Sequence, residues 1–225
     1  MGCRKKSKSL PYQRMMTSKY KFKYALDKEN EESVASKTYG SCETYNNFYN
    51  NVFIKSKHLY EMIYTNHTTV YFDIDNLNYT KKEFDVFVVE LTDKINNHFD
   101  ITINPDDVKI SCREEDDKDM VCSSHIIIDK TCVLQTDMKL FAILMNKTIP
   151  SIDIKVYHQW RVFKMPDMVK FSKTKYSRIY NSYTGSKYDE IRKHMINIYD
   201  TTDRVILKPK IVLEAEKKFD KVLFT

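Results

Sequence analysis

Thr69-Val70-Tyr71-Phe72-Asp73-Ile74-Asp75-Asn76 is an apolar, strand-forming run that ends on two carboxylates one residue apart. Along a strand, successive side chains point to opposite faces, so Asp73 and Asp75 share one face while Phe72 and Ile74 pack on the other. Two ionised carboxylates held this close repel each other, and a divalent cation relieves that repulsion. The pair therefore reads either as a hard-oxygen metal site or as a solvated strand end entering a turn. A calcium loop fits less well, because Leu77 stands where a third oxygen ligand should be and no glycine follows for the sharp turn.

Working outward, Leu59 to Tyr64 leads into the run through a polar turn over Thr65 to Thr68. On the other side, Thr80 and Glu83 form a capping-box pattern, and Phe84, Phe87, Val88, Leu91, Ile95 and Phe99 recur along one helical face. Asn104-Pro105-Asp106-Asp107 marks a turn, Val108 to Cys112 a strand, and Arg113 to Asp119 a solvated acidic loop. The next strand, Val121 to Asp129, carries Ser123-Ser124-His125, with Ser123 and His125 on one face. A helix over Thr136 to Asn146 has Leu140, Phe141, Leu144 and Met145 as its apolar stripe.

Beyond Pro150, Asp153 emerges alone from an apolar context, and Arg161 and Lys164 then flank Val162 and Phe163. Basic residues continue through Lys170, Lys173, Lys175 and Arg178, a pattern that suits phosphate contacts or a basic surface face. Nearer the ends, the spacing predicts a strand around Lys21 to Ala25, a helix within Ser41 to Ser56, and terminal helices over Tyr188 to Tyr199 and Ile211 to Val222. Residues 1–18 read as a basic tail without regular structure, and residues 19–225 as one catalytic domain whose motifs fall within 59–170.

Composition narrows the classes. The chain has 225 residues, with 37 Lys and Arg against 31 Asp and Glu, a net charge of +6 that favours a polyanionic partner. Its 5 cysteines are odd in number and scattered, with no Cys-x-x-Cys pair, which points to an intracellular reducing compartment and to no structural zinc. Only 3 glycines are present, so neither a Walker-type loop nor a dinucleotide-binding fingerprint can be built. No apolar run approaches the length of a membrane span, and stable membrane association is not expected.

The order and content of these motifs resemble the archaeo-eukaryotic primase superfamily, in its primase-polymerase and poxvirus-type primase-helicase branch. Tyr71-Phe72-Asp73-Ile74-Asp75 matches the superfamily's Asp-x-Asp motif, and Ser123-Ser124-His125 matches its Ser-x-His motif. Ile152-Asp153, Val156-Tyr157, Arg161 and Lys164 match the apolar-Asp element with its following Val-Tyr and basic residues. Lys164 stands where that branch often has Arg, and Val121 lies where a basic residue can precede Ser-x-His.

The resemblance implies an α+β primase fold, with an RRM-like catalytic module and an N-terminal α/β module that helps form the nucleic-acid cleft. It implies Asp73, Asp75 and Asp153 as catalytic ligands of two Mg2+ or Mn2+ ions, with Ser123, His125, Arg161, Lys164 and Lys170 binding the incoming nucleotide. The expected partners are a single-stranded DNA template, NTP or dNTP, and a replicative helicase or accessory primase subunit. The expected location is a nuclear or cytoplasmic replication site, such as that of a virus-infected cell. The chain stops before a helicase motor could begin, so it is expected to be a stand-alone primase or a domain of a primase-helicase.

Three other readings compete. A non-catalytic nucleic-acid-binding module would bind without metal, but its polyanion affinity would gain from losing those three carboxylates. A replication-initiator nuclease would bring a His-x-His pair, which none of the 6 histidines forms. An acylated adaptor would use Gly2 and Cys3 ahead of a basic run, although Lys6 occupies the usual Ser or Thr position of the myristoylation motif.

Overall fold

The computed structural model describes residues 10–27, 37–169, 175–180 and 185–210. In chain order the elements are α1 (Leu10–Thr17), β1 (Phe22–Asp27), β2 (Lys37–Cys42), and α2 (Tyr45–Phe48), which runs on as a π-helical turn over Tyr49–Phe53. Then come β3 (Leu59–Ile63), β4 (His67–Ile74), β5 (Tyr79–Thr80), α3 (Lys81–Phe99), β6 (Val108–Arg113), β7 (Met120–Val121) and β8 (Ser124–Leu134). The chain continues with α4 (Gln135–Asn146), β9 (Arg161–Lys164), β10 (Ser177–Ile179), α5 (Lys187–Lys193) and β11 (Val205–Leu207). The fold is α+β.

The longest strand, β8, is the spine of one sheet. β4 lies antiparallel along one edge of it, while the other edge is shared by β6, antiparallel to the first half, and β11, parallel to the second. The change of partner falls at Lys130, which adopts φ 60°. Opposite it β4 slips register between Thr68 and Val70, and the Thr131 hydroxyl fills the gap, accepting from the Val70 amide at 2.9 Å and donating to the Ile128 carbonyl at 2.6 Å. Such a bulge bends the strand without leaving a buried amide unpaired.

Helices α3 and α4 cover one face of this sheet, where Phe141 meets Phe72 and Phe99 edge-on. The Thr80 capping box forms as its spacing predicts: Thr80 Oγ1 accepts from the Glu83 amide, and the Glu83 carboxylate accepts from the Thr80 amide at 2.8 Å. Phe84, Phe87, Leu91, Ile95 and Phe99 are buried along α3, each worth roughly 1.5–3 kcal/mol on leaving water.

A second, four-stranded antiparallel sheet has the order β2-β1-β3-β9. One of its faces packs toward the first sheet through Phe163 against Tyr71, at 5.6 Å between centroids. The other face carries Ala25, Tyr60 and Met62, covered by Met15 of α1. Helix α1 therefore corrects the expected tail, since within residues 1–18 the amphipathic segment Leu10–Thr17 is helical and Met15 is 2 % exposed.

Other expectations shift as well. The strand expected over Val121 to Asp129 is split into β7 and β8 and runs on to Leu134. On α4 the buried stripe is Met138, Phe141, Ala142 and Met145, whereas Leu140 is 53 % exposed, because the helix is turned about its axis by the fit of Phe141 against Phe72. The helix expected to reach Tyr199 stops at Lys193, and the chain then pairs with β4 through Thr68 and Asn197. The helix expected over Ile211 to Val222 lies outside the described residues. Among the described residues, no helix is long and apolar enough to cross a membrane.

Candidate metal centre

The three aspartates of the sequence motifs come together. Asp73 sits near the end of β4, Asp75 follows it, and Asp153 arrives from the connection after α4. Each offers a carboxylate oxygen, and these oxygens all lie within 4.8 Å of one another, close enough to share a metal ion.

Backbone contacts fix that convergence. The Asp153 amide donates to the Asp73 carbonyl at 2.8 Å, the Asp75 amide donates to the Ser151 carbonyl at 2.9 Å, and Ile74 and Ile152 form an antiparallel bridge. Asn146 holds the same connection from α4, its amide donating to the Ile152 carbonyl at 2.8 Å. One oxygen of Asp153 also accepts from the Lys155 amide at 2.9 Å, capping the short 3-10 turn Ile154–Val156 and orienting the carboxylate.

The Val-Tyr of the third motif has a structural role. Tyr157 is 1 % exposed, its ring stacks on Tyr71 at 4.8 Å, and its hydroxyl donates to the Tyr71 carbonyl at 2.9 Å. It clamps the segment bearing Asp153 onto the strand bearing Asp73. Burial drives the Tyr157 phenol well above its usual range, so it stays neutral and donates.

Ser123 and His125 belong to the same cluster, for a reason that strand pairing supplies. Asp73 lies directly opposite His125 in the β4–β8 ladder, so their side chains share a face. His125 Nε2 stands 3.4 Å from Asp73 Oδ1, and Ser123 Oγ donates to Asp75 Oδ1 at 2.9 Å. Phe163 of β9 backs the His125 ring at 4.1 Å. Sequence reasoning gave this phenylalanine no role, because only the pairing of β9 with β3 brings it there.

The basic residues divide. Alternation along β9 puts Arg161 on the face of Phe163, where it is exposed and, among the described residues, without an ion-pair partner. Lys164 falls on the opposite face, alongside Tyr60, its register partner, and is thus set apart from the carboxylates. This corrects its grouping with Arg161: three residues along a strand reverse the side. Lys170 and Lys173 lie outside the described residues. Lys175 and Arg178 meet acids, Lys175 at Glu115 (3.3 Å) and Asp116 (2.9 Å), Arg178 at Glu114 and Asp167 (both 3.8 Å), so they do not form the expected open phosphate track.

The donor set fits a hard divalent cation. Three carboxylates gather, none fully buried, with the His125 imidazole beside Asp73 and, among the described residues, no Lys or Arg in ion-pair contact with any of the three. Compared with known proteins, the sequence matches no family model and no curated protein.

Proposed function

We propose that this chain is a DNA-templated nucleotidyltransferase, a primase or primase-polymerase that makes primers on a single-stranded template. The observation that carries this reading is the convergence of Asp73, Asp75 and Asp153 within 4.8 Å, with Ser123 and His125 hydrogen-bonded or adjacent to two of them. Five residues from three separated motifs thus meet at one place. Supporting it further is the element order β4-α3-β6-β8-α4, with the two-residue strands β5 and β7 between, followed by a single-residue bridge from Ile152 back to β4, an order similar to the β-α-β-β-α-β expected of an RRM-like module.

In this reading Asp73, Asp75 and Asp153 hold two Mg2+ or Mn2+ ions. When bound, the metal supplies Lewis-acid stabilisation of charge on the α-phosphate and the leaving pyrophosphate. The carboxylates would place the ions they hold, and so align the primer hydroxyl with the α-phosphate as pyrophosphate leaves. Ser123 Oγ–H and His125 Nε2–H exchange their carboxylate partners for phosphate oxygens of the incoming NTP or dNTP, and Arg161, on the same side as Phe163, neutralises its charge. His125 acts here as a phosphate ligand, with the tilted Phe163 ring packed behind it. The partners that follow are a single-stranded template, a nucleoside triphosphate and a helicase or accessory subunit, at an intracellular site of DNA replication.

The test is synthesis on single-stranded DNA with labelled nucleotides and Mg2+ or Mn2+, with and without a primer. Metal-dependent products that vanish in Asp73→Ala and Asp153→Ala support the reading, and products without an added primer make it a primase. Failure to form product under any condition, with template binding unchanged on metal removal, would favour a non-catalytic binding module.

A further inference from the structure

The turn that joins Asp153 to β9 carries a second feature. It ends on Trp160, the only tryptophan of the chain, held at φ 63°, a left-handed conformation that suits glycine or asparagine far better. The Trp160 amide donates to the Ile63 carbonyl at 2.6 Å, so the conformation is imposed by the start of the β3–β9 pairing. Strain of this kind collects where a side chain is needed at one place.

Trp160 stacks on Tyr64, with 5.6 Å between centroids and 23° between planes; both residues are half-buried, and Tyr12 of α1 meets Trp160 edge-on at 6.4 Å. Lys23 lies against the same two rings, its ammonium 4.7 Å from the Tyr64 centroid and 5.3 Å from that of Trp160, and donates to the Met16 carbonyl at 2.9 Å. The Tyr64 hydroxyl donates to the Lys21 carbonyl, which holds the Lys21 backbone beside the Tyr64 ring. Lys19, Lys21 and Arg161 are exposed, and among the described residues none makes an ion pair, though Asp200 lies near enough to Lys21 to feel its charge.

From this arrangement we infer that the Tyr64–Trp160 pair, with Lys23 against both rings and the exposed Lys19 and Lys21 of the adjoining segment, forms a stacking surface for single-stranded nucleic acid. Aromatic rings offer a face to any base, and cations spaced around them take the phosphates, which is the chemistry of sequence-tolerant strand binding. Arg161, the next residue, falls on the opposite face of the sheet with Phe163, which backs His125, so the aromatic pair lies on the α1 side of the sheet and not among the carboxylates. The inference rests on the reading of the chain as acting on a single-stranded template, but binding at this surface requires no metal.

Trp160 is its own reporter. The full chain is titrated with an oligothymidylate in EDTA while tryptophan emission is followed, and binding is measured in parallel by anisotropy of a labelled oligonucleotide. The expected result is saturable quenching whose midpoint rises with salt. Loss of the stack in Trp160→Ala should weaken binding by about 10-fold or more, and Lys19→Glu with Lys21→Glu should weaken it without altering the rings. The lysine pair serves if Trp160→Ala fails to fold. Unquenched emission at saturating oligonucleotide, absence of any binding, or wild-type affinity in the lysine variant would overturn the inference. Quenching in a chain that makes no primers would retain the surface and remove the catalytic reading, whereas primer synthesis with unquenched Trp160 would do the reverse.

Discussion

Glu61 offers a sharp test of how the two sheets are joined. It sits in the middle of β3, 1 % exposed, and its carboxylate accepts from the Ile196 amide at 2.8 Å, the Asn197 amide at 3.0 Å and the Asn197 side-chain amide. Asn197 in turn accepts from the Tyr64 amide at 3.0 Å and the Thr65 amide at 3.2 Å, so this node ties β3 to the segment that pairs with β4. Burial raises the Glu61 carboxyl, the three N–H donors pull it partly back, and it comes to rest at about 7 against an ordinary 4.5.

The native state therefore holds a proton between these two values that the unfolded chain has released. Stability contributed by Glu61 is fully present below 4.5 and falls as pH rises to about 7. The interval from 4.5 to about 7, at about 1.36 kcal/mol per pH unit, amounts to about 3 kcal/mol. Glu61→Gln keeps the volume but cannot titrate, and it turns an acceptor into a donor facing N–H groups, orphaning at least one of them at a cost of about 1–3 kcal/mol. Urea denaturation of both proteins at pH 5, 6, 7 and 8 should show the variant less stable at pH 5, and the natural chain losing about 2.5 kcal/mol relative to it by pH 8, so that the gap closes or reverses. Other titrating groups cancel in the comparison. A gap that stays constant from pH 5 to pH 8 would refute the reasoning.

Further outcomes follow from single contacts. Thr80→Ala removes the α3 cap and should lower stability by about 1 kcal/mol, read as a shift in the urea midpoint with unchanged slope. Tyr157→Phe deletes the bond to the Tyr71 carbonyl, costing about 1 kcal/mol, and should weaken Mn2+ binding measured by electron paramagnetic resonance, because Asp153 loses its clamp. Unchanged Mn2+ affinity would separate Tyr157 from the metal centre. Cys112 is buried, which pushes its thiol up to about 12, so at pH 8 iodoacetamide should modify it far more slowly in the native chain than in urea. Equal rates would mean that β6 opens freely.

What could be read in the sequence was what lies within one element. The α3 cap and stripe are written in Thr80, Glu83 and the spacing of Phe84 to Phe99, and the buried side of β4 in Phe72 and Ile74, both fully buried. The carboxylates were legible as candidates because Asp-x-Asp is a local pattern, but Asp153 joins them only through backbone bonds that no periodicity signals. Contacts between elements were not legible. Pairing of β4 with β8 sets His125 opposite Asp73, and pairing of β9 with β3 puts Phe163 behind His125 and sends Lys164 to the far face. The α1 helix hid in a basic segment because few residues dock it: Met15 is buried, with Tyr12 and Met16 packed partly beside it. Leu140 misled because an apolar residue at helical spacing need not face the core when the helix turns to seat Phe141.

The measurement that bears most directly on the proposed activity is single-nucleotide incorporation on four single-stranded templates that differ only at the templating base, with Mg2+ or Mn2+ and with Asp153→Asn in parallel. If the carboxylate cluster directs templated transfer, the nucleotide added is the complement in each case, incorporation needs the metal, and the variant adds none. Nucleotide added without regard to the template base, equal incorporation by Asp153→Asn, or none by the natural chain on any template would contradict it.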